Sequence, residues 1–468
     1  MRYAIVLALL LSACAVGPDY VRPKVETPAA YKEAGDWKPA RPRDDVQRGE
    51  WWKAFGDPQL DALVERVAVS NQTVAAAEAQ LRQAEALTAQ ARAAWWPTLT
   101  ATAQDTRSKP SGTTGPVVGV PTTKRVIYSL PFNVSWEADL WGRIRRTVEQ
   151  GTASEQASAA DLLNAVLSAR ASLAQSYFQL RTLDAQQQLL DETAANYATT
   201  LELTKNRYVA GVASRADVAQ AQAQLESTRA QALDTGVQRA QLEHAVAVLL
   251  GRPASSFTLA AAPLAAAPPP IPPAGVPADL LERRPDIAAA ERRAAAANAE
   301  IGVAKAAFFP TLTLAATYGF QSATPEHWIT MPSRFWSLGP ALALTLFDGG
   351  RRAAVSDQAM AAYDQAVANY RGTVLQAFSE VEDNLAALRI LEQEAAVLEA
   401  AVAAAQQAYD VTLNQYKAGI ATYLQVVSAQ NALLGARLSA VSVRGRRVVA
   451  SVQLVKALGG GWSMESAK

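Results

Sequence analysis

Cysteine and histidine are nearly missing from this 468-residue chain: there is one cysteine, Cys14, and two histidines, His244 and His327. No intrachain disulfide and no Cys/His metal cluster can be built from that inventory. Four methionines offer little of the soft sulfur that a copper or silver site would use. Net charge is also lacking, with 44 Lys and Arg against 43 Asp and Glu, so no basic excess calls for nucleic acid. The apolar run that opens the chain, Ala4 to Leu11, is too short to span a bilayer. Half of the residues are nonetheless apolar, enough to bury a large core.

What is there begins with that short run. It follows Arg2 and leads into Leu11-Ser12-Ala13-Cys14, which suits a secretory signal, residues 1–13, ending in a lipobox. The mature chain would then start at an acylated Cys14, tethered to a membrane by its acyl chains. Ala15 follows, where an aspartate would favour retention in the inner membrane, so sorting to the outer membrane is expected. Residues 14–56 are rich in proline and charge without a sustained period and read as a lipidated tether.

Two stretches then repeat one pattern. Ala91 to Ala103, ARAAWWPTLTATA, and Ala304 to Phe320, AKAAFFPTLTLAATYGF, each run from a helical period through paired aromatics and a proline into strict alternation. Trp95, Trp96, Phe308 and Phe309 suit either helix packing or a girdle at a membrane surface. A second strand is expected in each copy, over Val126 to Trp136 and over Ser337 to Leu346. Large apolar residues occupy one face and small or hydroxyl residues the other, as in a wall between lipid and water. At roughly ten residues apiece, the strands match the length of a tilted membrane strand. About four strands cannot close a barrel, which takes roughly eight or more, and lipid does not tolerate open edges. Three copies supplying about twelve strands are the simplest closure.

After each strand pair comes a Gly/Arg turn, Asp139 to Arg143 and Phe347 to Arg351, and then a long heptad. Val166, Leu173, Leu180, Leu201 and Tyr208 on one seam recur 208 residues later as Val374, Val381, Leu388, Tyr409 and Tyr416. Some 42 residues of heptad make a rod of roughly 60 Å. Each rod turns back at matching places, Gly211 and Gly419, with Ser214 and Thr422 as helix caps and Asp217 and Gln425 three residues on. The chain therefore divides into a first repeat, 57–252, a Pro/Ala-rich linker, 253–278, a second repeat, 279–458, and a tail, 459–468.

Taken together, Cys14 to Tyr20, the duplicated order of strands and hairpins, Leu280 to Ile287, and Lys456 to Trp462 resemble the TolC family, in particular its NodT-type lipoprotein branch. The resemblance covers essentially the whole mature chain. It implies a mixed, mainly α, internally duplicated fold: a homotrimeric transmembrane β-barrel continued by a long periplasmic α-helical barrel of coiled-coil hairpins. It also implies an exit duct for small molecules such as drugs or toxic compounds, with no enzymatic activity and no cofactor, in the outer membrane and in contact with its lipid. The implied partners are a periplasmic adaptor and an inner-membrane transporter of the RND type. By the same resemblance, the tips at Gly211, Ser214, Gly419 and Thr422 touch the adaptor, and the periplasmic gate lies nearby. Where relatives carry acidic gate residues, this chain has Gln425 and Ser428, leaving Leu424 as an apolar constriction and Asp217 as either a ring of carboxylates or simply a helix cap. A coiled-coil scaffold lipoprotein without a channel is the rival from another class; an exit duct for protein secretion is a third.

Overall fold

The structure is a computed structural model that describes residues 15–33, 50–111, 123–264, 277 and 283–460. The signal segment, Cys14, residues 34–49 of the tether, the tip of the first strand loop, half of the linker, Asp279 to Glu282 and the end of the tail lie outside the described residues. The chain forms two compact units, and each draws on both sequence repeats: residues 1–24, 81–158 and 289–370 in one, and 25–80, 159–288 and 371–468 in the other. None of the described helices is long and apolar enough to cross a membrane.

The elements follow in the order α1 (Pro58–Ser70), α2 (Gln72–Ala93), β1 (Thr98–Ala101), β2 (Gln104–Ser108), β3 (Arg125–Ala138), α3 (Arg143–Val209), α4 (Arg215–Leu249), α5 (Pro285–Ala306), β4 (Thr311–Ser322), β5 (Arg334–Ala343), α6 (Arg351–Lys417) and α7 (Tyr423–Ala457). The duplication is exact to the residue in the helical hairpins: α3 and α6 have 67 residues each, α4 and α7 have 35 each.

The first unit holds an antiparallel sheet in the order β1-β3-β4-β5, with β2 also paired to β3. Two segments, β1 and β2, share one track along β3 in a single register and are interrupted opposite Pro131. Proline has no N–H to return, so only one bond, from the Thr102 amide to the Pro131 carbonyl (3.1 Å), is made at the break. On its other side Pro131 meets Gly319, where a Cβ would come within 2.4 Å of the Leu130 carbonyl oxygen and 2.7 Å of the Pro131 Cα. The strand expected over Ser337 to Leu346 instead spans Arg334–Ala343, because Ala343 is the last residue with a partner on β4, Thr311, just after Pro310. Aspartates start the helices that follow: Asp139 accepts from the Ile144 and Arg145 amides, and Asp348 from those of Gly350 and Arg352. In this unit the N-terminal segment is extended and held down. The Val16 amide donates to the Trp141 carbonyl, Asp19 pairs with Arg146 at 2.8 Å, and the Tyr20 hydroxyl donates to Glu291 at 2.8 Å.

The second unit has its core where Trp51, Trp52, Leu60, Val64 and Val67 pack on Leu173, Tyr177 and Leu180 of α3, Val246 of α4, and Val448, Val452 and Val455 of α7. Leu173 and Leu180 are positions that the heptads mark. An ion network ties the start of the linker to the first hairpin: Asp184 accepts from Arg181 (2.7 Å) and Arg239 (2.6 Å), and these arginines also donate to the Ala260 and Leu259 carbonyls. Asp184 and Arg181 are almost fully buried, so the additional bonds to backbone offset a desolvation cost of several kcal/mol per ion.

Candidate functional site

Two surfaces are the candidates. The first is the sheet. Facing residues across its tracks share a side, so Leu99, Val134, Ala316 and Leu338 form one row, with Phe132, Tyr318 and Trp336 in the next. Nothing among the described residues covers these positions: Leu99 is 69% exposed, Leu338 74% and Trp336 71%. Such a continuous apolar surface is far more than a water-facing protein leaves open. The opposite side carries Thr98, Ser135 and Ala315 in one row and Thr100, Asn133, Thr317 and Ser337 in the next. Here the Thr317 hydroxyl donates to Asn133 Oδ1 at 2.9 Å. Apolar on one side and hydroxyl-lined on the other, the sheet has the two-solvent character that alternation foretells. At its margin Trp95, Trp96, Phe308 and Phe309 are all more than a third exposed, and Trp141 stacks on Phe309 at 4.7 Å.

The second surface is the pair of hairpin tips in the other unit. Gly211 (φ 74°) and Gly419 (φ 80°) take the left-handed conformation that closes a helix. Each sits in a Schellman arrangement: the Val212 amide bonds the Arg207 carbonyl (2.8 Å) and the Ile420 amide bonds that of Gln415 (2.9 Å). Ser214 and Asp217 exchange bonds reciprocally, Asp217 accepting from the Ser214 amide at 2.8 Å and donating its own amide to Ser214 Oγ at 3.1 Å. Thr422 donates its amide to Gln425 Oε1 at 2.8 Å. Asp217 and Gln425 are thus both engaged in capping. Leu424 is 60% exposed on the first turn of α7, and Ser428 turns its hydroxyl back to the Leu424 carbonyl. The structure therefore brings Leu424, Gln425 and Ser428 onto one exposed stretch of α7, with Asp217 at the matching start of α4.

One tip residue was not singled out by sequence. Arg207 lies over the Tyr416 ring at 4.6 Å and donates to the Lys417 carbonyl at 3.2 Å, joining the two tips. The signal was an asymmetry between the copies, since the position matching Arg207 is Gln415. The consequence is visible in the matching tyrosines: Tyr416 is 3% exposed and Tyr208 46%. Beneath the tips, Tyr197, Leu201, Leu225, Tyr423 and Val426 make a small core. Burial pushes the Tyr197 phenol up to about 12, with the nearby Gln224 amide opposing, and burial also raises Tyr423, with Tyr416 adding to it.

The model of the family described as outer membrane efflux protein matches residues 63–252 and 276–460. The pyoverdine export outer membrane protein OpmQ of Pseudomonas aeruginosa is 33% identical over 98% of this chain and 96% of its own. The cation efflux system protein CusC of Escherichia coli is 29% identical over 97% of each. Among solved structures, the outer-membrane channel OprN superposes with a TM-score of 0.89 at 31% identity, covering 96% of this chain and all of that one. An uncovered two-faced sheet, two equal helical hairpins and these matches along the full length lead to one conclusion: the chain belongs to the outer membrane efflux protein family and is an outer-membrane efflux channel.

Proposed function

We propose that three copies of this chain close one barrel, and that the channel works as the exit duct of a three-part pump with a periplasmic adaptor and an inner-membrane transporter of the RND type. The observation that carries this reading is the pair of free sheet edges. Among the described residues, β5 and the β1–β2 track each pair on one side only, while the rows from Leu99 to Leu338 and from Phe132 to Trp336 on one face are apolar. Open edges in lipid leave backbone groups unmatched at several kcal/mol each, so β5 of one copy is matched to β1 and β2 of the next. In support, the alternation of β5 runs on through Leu344 and Leu346 past its last partner within the chain.

In this reading the mechanism is conduction, without bond chemistry. The hydroxyl face of the sheet lines the water path, Cys14 carries the acyl anchor, and the tips at Gly211, Ser214, Gly419 and Thr422 meet the adaptor. Leu424, Asp217, Gln425 and Ser428 stand around the gate. Relatives named for pyoverdine, toluene and cation efflux match this chain over nearly its full length, which supports a duct whose cargo is chosen by the pump. The test pairs a cysteine at Leu99 with one at Leu344 for cross-linking in native membranes. Disulfide-linked species up to three chains, with stepwise ion conductance from the purified oligomer, are expected. A protein that remains monomeric in membranes yet conducts would overturn the reading.

A further inference from the structure

Above the small tyrosine core of the tips, α3, α6 and α7 leave a polar cavity of about 80 Å³ lined by Asn196, Tyr197, Gln406, Tyr409, Gln430 and Arg437, among others. Gln430 stands in the α7 seam between Val427 and Leu434 and is 3% exposed. Neither its Nε2 nor its Oε1 has a hydrogen-bond partner among the described residues. An unmatched buried polar group costs about 1–3 kcal/mol. A seam position filled by leucine would avoid that cost, so a polar occupant would relieve it.

The charge of the lining says which kind. Among the described residues that line the cavity, Arg437 is the one ionised side chain and none is a carboxylate. Its guanidinium donates to Gln406 Oε1, and Gln406 turns its own amide nitrogen outward to Asp410 at 2.9 Å. The remaining guanidinium donors, Gln430 Nε2 and the Tyr197 hydroxyl stand against one unmatched acceptor, Gln430 Oε1, and a guanidinium has no acceptor to offer. A water occupies about 10–15 Å³ of such space, so the cavity has room for one small ion with several waters. We propose that this cavity binds a chloride-sized monovalent anion, held by Arg437, Gln430 and Tyr197. Such an ion bridges the first hairpin, through α3, to the second, through α6 and α7. The site is independent of the pump reading above, because it concerns packing inside one chain.

The experiment is crystallisation of the full-length protein with bromide in place of chloride and diffraction at the bromine edge. An anomalous peak between Gln430, Tyr197 and Arg437 is expected, lost in Arg437→Gln and in Gln430→Leu. Density without anomalous signal would mean water only and would overturn the proposal, as would a peak that survives both substitutions. In case crystals of a variant fail, thermal midpoints in chloride and in gluconate, too large for the cavity, are compared at equal ionic strength. Wild type is expected to melt higher in chloride, and Arg437→Gln to show no difference. An equal chloride effect in both proteins would refute the site.

Discussion

Arg207 of the first hairpin caps the ring of Tyr416 in the second, its guanidinium 4.6 Å from the ring centroid and one of its nitrogens bonded to the Lys417 carbonyl. This contact is the polar tie between the two tips at their ends. A cation over a tyrosine is worth about 0.5–1 kcal/mol at an exposed site and more where desolvated. Arg207→Gln, which makes the two copies alike at this position, is expected to raise amide exchange over residues 415–421 by roughly that energy, about two- to fivefold. Exchange unchanged in that segment would show that the contact holds nothing together.

The meeting of Pro131 with Gly319 sets a second expectation. Gly319→Ala places a Cβ 2.4 Å from a backbone oxygen that cannot move without breaking β3 from β4. The variant is expected to lose barrel assembly, read as loss of the heat-sensitive oligomer on a gel. Gly339→Ala, with nothing within 4 Å of the added carbon, is the control and is expected to assemble normally.

Leu424 and Asp217 separate the two readings of the gate. Truncation of Leu424 to alanine is expected to raise single-channel conductance by widening and wetting the constriction. Asp217→Ala is expected to lower cation selectivity if its carboxylate faces the lumen, and to cost about 1 kcal/mol of helix stability through the lost capping box in either case. Unaltered conductance and selectivity in both variants would move the gate elsewhere.

Alkaline pH provides a fourth measurement. The Tyr197 phenol has its pKa raised from 10.0 to about 12, so the folded chain keeps its proton where the unfolded chain releases it. The stability that this neutral form contributes is complete below pH 10 and declines as pH rises from about 10 to about 12. Tyr197→Phe is expected to flatten the thermal midpoint over that window. A profile identical to wild type would show that the buried phenol is not responsible.

Cys14 is tested by labelling. Cys14→Ser is expected to abolish incorporation of radiolabelled palmitate in cells, and a variant that still carries acyl chains would refute the lipobox.

Much of this architecture could be read along the chain because it is periodic and written twice. The heptad seams place Leu173, Leu180, Val374 and Val381 correctly in the interior, each fully buried, since a long helix has few ways to hide a stripe. The strands were equally legible, because alternation with period two leaves one face apolar. Their ends were not. Whether β5 stops at Ala343 or Leu346 depends on which residues have a ladder partner, and β1 parts from β2 because of a proline on the neighbouring strand, far away in sequence. The tips divide in the same way. Gly211 and Gly419 announce themselves through backbone conformation, whereas Arg207 acquires its role only from the ring that lies beneath it. Gln430 was hidden for a related reason: a glutamine among alanines on a helix looks solvated until the packing encloses it.

The equal lengths of α3 and α6, and of α4 and α7, restrict how such a chain can grow. Adding seven residues to one arm alone would stagger its end by about 10.5 Å and pull Arg207 off Tyr416. A longer or shorter version must change four helices at once, in matched steps, so that reach into the periplasm is inherited as a set of linked insertions.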